Sequence, residues 1–182
     1  MPKIICIIDK VIINISGNHL KSNQRTIAYD ISAGEISNYD VKRITEESLI
    51  RFSNQDDEVI QSLAVDYAID DMRHIKNPCL MTGRKLTAYL NIVTISATAH
   101  KNLLKALTNC HLNVSYIVPS AYAAAFANLT LEEKEQGVLM IDIGEGNSDL
   151  AIFFQGKLQF ITSLPIGGKL ITNDISPLWL NL

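Results

Sequence analysis

Near the C-terminal end the chain runs apolar over 138–143, breaks at Gly144, resumes over 149–154, breaks at Gln155 and Gly156, and resumes over 157–166. Short apolar runs bounded by glycine turns predict three strands in an up-down-up meander. Strands one and three of a meander end at the same edge, so the 144–148 turn and the Gly167/Gly168 pair are expected to face one another there. Beyond them, 169–175 reads as the opening of a helix, whose free N–H groups and positive dipole end favour an anion.

The rest of the chain is α/β in texture. Residues 3–15 read as a strand and 16–19 as the loop leaving it. Over 38–52, Val41, Ile44, Thr45, Ser48, Leu49 and Phe52 recur on one helical face, and Ser37 with Asp40 resembles a capping box. The stretch 58–69 is ambiguous, because Val59, Ile60, Leu63, Val65 and Tyr67 fit both the helical and the strand period imperfectly. Asn77 and Pro78 mark a turn, and 86–95 is a strand rich in β-branched residues. A helix comes next over 98–109 with Leu103, Leu104 and Leu107 inward, then a strand over 114–118. A second helix opens at Pro119, which suits a first helical turn; its alanine-rich run, 120–127, is small enough to lie close on a sheet. Thr130, Leu131, Glu132 and Glu133 read as polar surface. Strand-helix-strand-helix and then a meander predicts an α/β layered fold.

The candidate chemistry sits at the meander's first turn. Asp142 ends an apolar strand, a costly place for a carboxylate unless it meets water, a metal or a donor. Gly144 and Gly146 let the backbone approach a phosphate closely. Each feature alone has a structural explanation, positive φ for the glycines and turn capping for the acid. Together, Asp-x-Gly-x-Gly-x-Ser-Asp, a meander, and Gly-Gly before a helix form a constellation that reads as a phosphate-binding hairpin.

On residues 137–153 and 164–175 the chain resembles the actin-like ATPase superfamily, and within it the FtsA-type family of bacterial cell-division proteins. A second match, Val65 to Asp70 with His74 to Gly83, is similar to that family's inserted subdomain. The resemblance implies a partial actin-like (ribonuclease H-like) α/β fold with an inserted small α+β subdomain. In that division 1–19 is a first-lobe strand, 20–89 the insert, 90–130 the remainder of the first lobe, 131–176 the start of the second lobe, and 177–182 an aberrant tail. It also implies ATP and Mg as cofactors, with Asp142, Gly144, Gly146, Asn147, Gly167 and Gly168 at the nucleotide and Asp142 holding magnesium indirectly. Partners implied are FtsZ or full-length FtsA-type division proteins, at the inner face of the cell membrane.

Two departures weaken the hairpin: Glu145 stands where the family prefers glycine and Asn147 where it prefers threonine. A carboxylate about 4 Å from a phosphate oxygen is repelled by roughly 1 kcal/mol in water and about 4 at an effective dielectric near 20. The family's first Asp-x-Gly-Thr loop has no counterpart, because no glycine turn comes after Asp9. Half a site predicts no ATPase activity. Pro177, where the family's helix continues, predicts a helix break. The expected role is therefore septal-ring assembly through protein contacts with a vestigial ATP-binding hairpin; a gene remnant and a pilus-assembly-type ATPase are the alternatives.

Composition narrows the partners. The 182 residues are 47% hydrophobic with net charge −3, ample for a packed core and without a basic footprint for nucleic acid. Cys6, Cys79 and Cys110 are widely spaced, fitting neither a disulfide framework nor zinc and pointing to a reducing cytoplasm. The N-terminal apolar run is too short to span or anchor to a membrane. His19, His74, His100 and His111 lack metal-ligand spacing, adjacent Cys110 and His111 lack an oxyanion turn, and Asp56, Asp57 and Glu58 read as a solvated acidic face.

Overall fold

The computed structural model describes residues 9–32 and 34–179. Strand β1 (Lys10–Ile15) pairs in parallel with β6 (Asn113–Pro119) as a two-stranded sheet. Between them in sequence comes an antiparallel sheet ordered β2-β5-β3-β4, from β2 (Leu20–Asp30), β3 (Asp57–Ile69), β4 (Met72–Ile75) and β5 (Lys85–Ser96). Helix α1 (Asn38–Phe52) covers one face of that sheet. Helices α2 (Ala97–Asn109), α3 (Ser120–Asn128) and α4 (Leu131–Gln136) precede the antiparallel meander β7 (Val138–Ile143), β8 (Ser148–Phe154) and β9 (Lys157–Leu164). Helix α5 (Gly168–Trp179) comes last.

The centre of this arrangement is β5, buried on both faces. Leu86, Ala88, Leu90 and Ile92 point to α1 and join Ile27, Ile36, Ile44 and Ile69 in one cluster. From its other face Val93 joins Leu20, Ala121, Ala125, Phe153, Leu158 and Ile161 in a second cluster, formed with α3 and the meander. A strand covered on both faces reads as a continuous apolar run rather than an alternation. Asn91 is the polar exception on the meander side: fully buried, it accepts a hydrogen bond from the Ser22 hydroxyl and donates through Nδ2 to the Leu158 carbonyl at 3.2 Å. The bond ties the four-stranded sheet to β9.

Segment 58–69 is a strand, and the cause of its mixed periodicity is visible. Register shifts between Val59 and Gln61 and between Ala64 and Asp66 each put an extra residue into β3. Each bulge reverses the in-out phase of the residues beyond it, so no single period of two survives.

Other expectations are adjusted. Leu49 is exposed on α1, while Ile44 and Ser48 are buried, with Ser48 bonded to the Ser62 hydroxyl of β3. On α2 only Ala97 is buried; Leu103, Leu104 and Leu107 are half-exposed, because this helix lies against the narrow β1-β6 sheet and the end of β5. Pro119 is the N-cap of α3 rather than part of its first turn. The polar surface expected after Leu129 contains α4, closed by a capping box in which Thr130 and Glu133 exchange hydrogen bonds. Strand β2 is mostly polar and exposed, held along its whole length by β5, and neither it nor β4 is foreshadowed by an apolar pattern. Helix α5 runs through Pro177 to Trp179, correcting the expected break: proline's fixed φ is helical, and the lost N–H and the clash with the carbonyl four residues earlier fall within the last turns of the helix without ending it. The part of the first predicted strand over 3–8 lies outside the described residues.

The α1 capping box forms as expected. Asp40 N–H donates to Ser37 Oγ at 3.2 Å, and Ser37 N–H donates to the Asp40 carboxylate at 2.9 Å. Hydrogen bonds from the Ser37 hydroxyl and N–H hold the Asp40 carboxyl below its ordinary pKa. A depressed carboxyl stabilises the fold above its unfolded pKa and loses that contribution as pH falls through the folded value. Asp40→Asn should therefore lower the melting temperature at pH 7, and the gap to the wild type should close on acidification below the carboxylate range; a gap independent of pH refutes the charged cap. Asn91→Ala should cost about 2 kcal/mol in urea unfolding, because it leaves the buried Leu158 carbonyl without its donor.

Candidate functional site

The two glycine clusters meet. Gly168 N–H donates to the Gly144 carbonyl and Lys169 N–H to the Glu145 carbonyl, both at 2.9 Å, and the Ser148 hydroxyl donates to the Ile166 carbonyl at 2.6 Å. A Cβ on Gly167 would lie 2.4 Å from the Glu145 carbonyl oxygen. Gly167 is thus required by close approach of the β7-β8 turn to the start of α5. None of Gly144, Gly146, Gly167 and Gly168 has φ in the left-handed region, so positive φ does not explain them.

This closure corrects one expectation. The first N–H groups of α5 are not free for an anion: Gly168 and Lys169 donate to the turn, and Leu170 N–H to the Gly167 carbonyl. The positive end of α5 is capped by backbone carbonyls of the hairpin.

On the other side of the turn is an open recess of about 200 Å³, lined by Asn14, Ser16, Ser120, Asp142, Glu145, Asp149 and the turn residues Gly144, Gly146 and Asn147. Of the predicted site residues, Asp142, Gly144, Gly146 and Asn147 are brought together here, and Gly167 and Gly168 stand behind the turn. Gly144 N–H closes the turn on the Asn147 carbonyl at 2.8 Å. Nothing lies within 4 Å of where a Gly146 Cβ would be, so its missing side chain is left facing space.

The electrostatics of the recess are acidic. Asp142 and Asp149 are paired directly across β7 and β8, so their side chains share one face. Asp149 is buried, and its Oδ1 has no hydrogen-bond partner. Glu145 adds a third carboxylate, and among the described residues no lysine or arginine lines the recess. Two like charges about 5 Å apart repel by roughly 3 kcal/mol at an effective dielectric near 20. The opposing contribution is α3, which begins in the recess wall at Ser120 with no side-chain cap on its N-terminus, so its positive end faces the carboxylates. Ser120 also accepts from Asn14 Nδ2 at 3.2 Å.

This donor set fits a magnesium ion held by one or two carboxylates and otherwise by water or phosphate oxygens. It is not a protein cage, since among the described residues no three His, Cys, Asp or Glu side chains are grouped to hold a metal. Asp149, Ser120 and Asn14 join the recess without having been expected there. Asp149 had a signal, as the final acid of the hairpin pattern; Asn14 and Ser120 are 106 positions apart and had none.

Several other titratable groups fall where a solvated reading puts them. His74 faces Asp66 at 3.0 Å, Asp57 pairs with Lys21 at 3.1 Å, and Cys110 is exposed. Among the described residues no helix is long and apolar enough to cross a membrane.

Known proteins share this architecture. A family model described as the SHS2 domain inserted in FtsA matches residues 17–94, the segment that holds β2, α1, β3, β4 and nearly all of β5. The cell division protein FtsA of Pseudomonas aeruginosa is 34% identical over 171 residues, covering 94% of this chain and 41% of that protein. FtsA of Neisseria meningitidis is 32% identical, with 93% and 41% covered, and FtsA of Escherichia coli K12 is 29% identical, with 94% and 41% covered. The chain therefore spans well under half the length of the curated relatives it matches. In three dimensions it is similar to a chain of a PilM-PilN type IV pilus biogenesis complex, with a TM-score of 0.54 over 96% of this chain and 47% of that one; at 18% identity this likeness speaks to the fold alone. The fold is the expected α/β actin-like one with an inserted α+β subdomain, and over nearly its whole length the chain matches a stretch of the FtsA cell-division proteins.

Proposed function

We propose that this chain acts in septal-ring assembly through protein contacts, and that its hairpin recess is a vestigial ATP site that takes magnesium and phosphate without turning nucleotide over. The observation that carries the second half is the composition of the recess: three carboxylates, no cationic side chain among the described residues, and a neighbouring helix end already capped by the hairpin. Magnesium then brings a phosphate in, because Glu145 repels an uncompensated one. When bound, the ion supplies charge neutralisation. Asp142 and Asp149 would hold it, directly or through water, while the turn backbone at Gly144, Gly146 and Asn147 approaches the phosphate closely.

The first half rests on kinship with division proteins and on the intact inserted sheet. In this reading residues 1–19 and 90–130 belong to a first lobe, 20–89 to the insert, 131–176 to the start of a second lobe and 177–182 to a tail. The partners are FtsZ or full-length FtsA-type proteins, met in the cytoplasm at the inner membrane face.

Three measurements test this function. Pure protein with Mg-ATP should release phosphate no faster than the protein-free control, and release above that control overturns the vestigial reading. Titrated against FtsZ and against a full-length FtsA, the chain should associate with one of them at tens of micromolar; no association with either sinks the interaction role. Replacing Asp149 by Asn should raise the melting temperature without divalent cation by several degrees, since it removes a repulsion of up to about 3 kcal/mol. Added magnesium should stabilise the wild type and not the variant; an equal response in both would remove Asp149 from the site.

A further inference from the structure

A second cavity, of about 210 Å³, lies between β3, α3, α4 and the β8-β9 hairpin, away from the phosphate-type recess. Its walls are apolar: Leu63 from β3, Tyr122 and Phe126 from α3, Leu131 from α4, and Phe153 and Leu158 from the meander. Tyr122 bridges the rings, 4.8 Å from Phe126 and 6.0 Å from Phe153 between centroids. Two ammonium groups share this apolar wall. Lys134 is 6% exposed, and its Nζ stands 4.5 Å from the Phe126 centroid and 5.9 Å from that of Phe153. Lys157 lines the cavity too, with Nζ 5.6 Å from the Tyr67 centroid.

Among the described residues no carboxylate lies within salt-bridge distance of Lys134 or Lys157, and Glu135, the acid beside the Gly156 turn, is paired with Lys76 at 2.6 Å. A buried ammonium facing aromatic rings retains part of its charge stabilisation through their quadrupoles but leaves its hydrogen-bonding capacity unused. Desolvation by burial lowers the Lys157 pKa, against an opposing pull from the Asp66 carboxylate. The cavity therefore combines apolar volume with positive charge at its edge.

The geometry points to this cavity as a binding site for a small amphipathic carboxylate, an aryl or branched-alkyl acid whose body fills the apolar wall while its carboxylate bridges Lys134 and Lys157. Size agrees: an apolar cavity of about 150 Å³ accepts benzene, so this one accommodates a ring with a short acidic arm. Charge selects the head group, because an acid gains two ammonium partners, an alcohol gains neither charge pair, and an amine is repelled. A bound acid would also span β3 of the inserted sheet, α3-α4 and the meander, which otherwise meet here through side-chain packing.

The test uses three probes of one shape, 3-phenylpropionate, 3-phenylpropanol and 3-phenylpropylamine, titrated into the whole chain and monitored by two-dimensional amide NMR. Shifts should cluster around Phe126, Lys134, Phe153 and Gly156, and the acid should bind about tenfold more tightly than the alcohol and more tightly still than the amine. Lys134→Gln and Lys157→Gln should each weaken the acid several-fold and leave the alcohol unchanged, while Lys134→Arg should retain the preference. If Lys134→Gln fails to fold, Lys157→Gln and salt carry the test: rising sodium chloride should weaken the acid and not the alcohol. Equal affinity for all three probes, shifts centred elsewhere, or no shifts at all overturns the proposal.

Discussion

The two-sided burial of β5 is the constraint on which the remainder depends. Ile92 and Val93 are adjacent in sequence yet belong to different clusters, one under α1 and one under α3 and the meander. Asn91 sits beside them with no exposed surface, joining the Ser22 hydroxyl of the neighbouring strand to a carbonyl of β9. An apolar residue there would strand that carbonyl, and an exposed polar one has no room. The inserted sheet and the meander are thereby held in one relation, and the hairpin is placed beside β1 and α3, where the acidic recess forms.

Within the hairpin, closure and anion binding draw on the same groups. The N–H groups of Gly168 and Lys169 serve either a phosphate or the Gly144 and Glu145 carbonyls, and here they serve the carbonyls. What remains in the recess is the Asp142/Asp149 pair and the uncapped start of α3. Both carboxylates and the helix end therefore face the same small space, with Glu145 at its rim.

Lys134 shows how a polar sequence acquires a buried role. On a six-residue helix with three acids its expected place is the surface, but the helix is laid against the aromatic edge of the second cluster, and its ammonium lies over the Phe126 ring. Long cationic side chains cover apolar surface in this way when the head group finds a polarisable face. The same placement leaves Gly156 N–H donating to the Lys134 carbonyl, so α4 and the β8-β9 turn are tied by backbone as well.

Sequence determined whatever is governed by local chemistry. The α1 capping box, the 138–164 meander with its glycine turns, the alanine face of α3 and the family motifs were all legible, because each arises from residue types within a few positions of one another. Residues Asp142, Gly144, Gly146 and Asn147 were legible for the same reason. Tertiary structure alone decided the rest. Strand β2 is polar and exists because β5 pairs with it along its length; α5 passes Pro177; Leu49 is exposed; and the Gly168 N–H is committed to a carbonyl 24 positions earlier. Asn14, Ser120 and Asp149 converge only once β1 and β6 pair and the meander docks on α3. Periodicity reports which side of an element is apolar, but which groups end in contact depends on how elements far apart in the chain share the same buried surface.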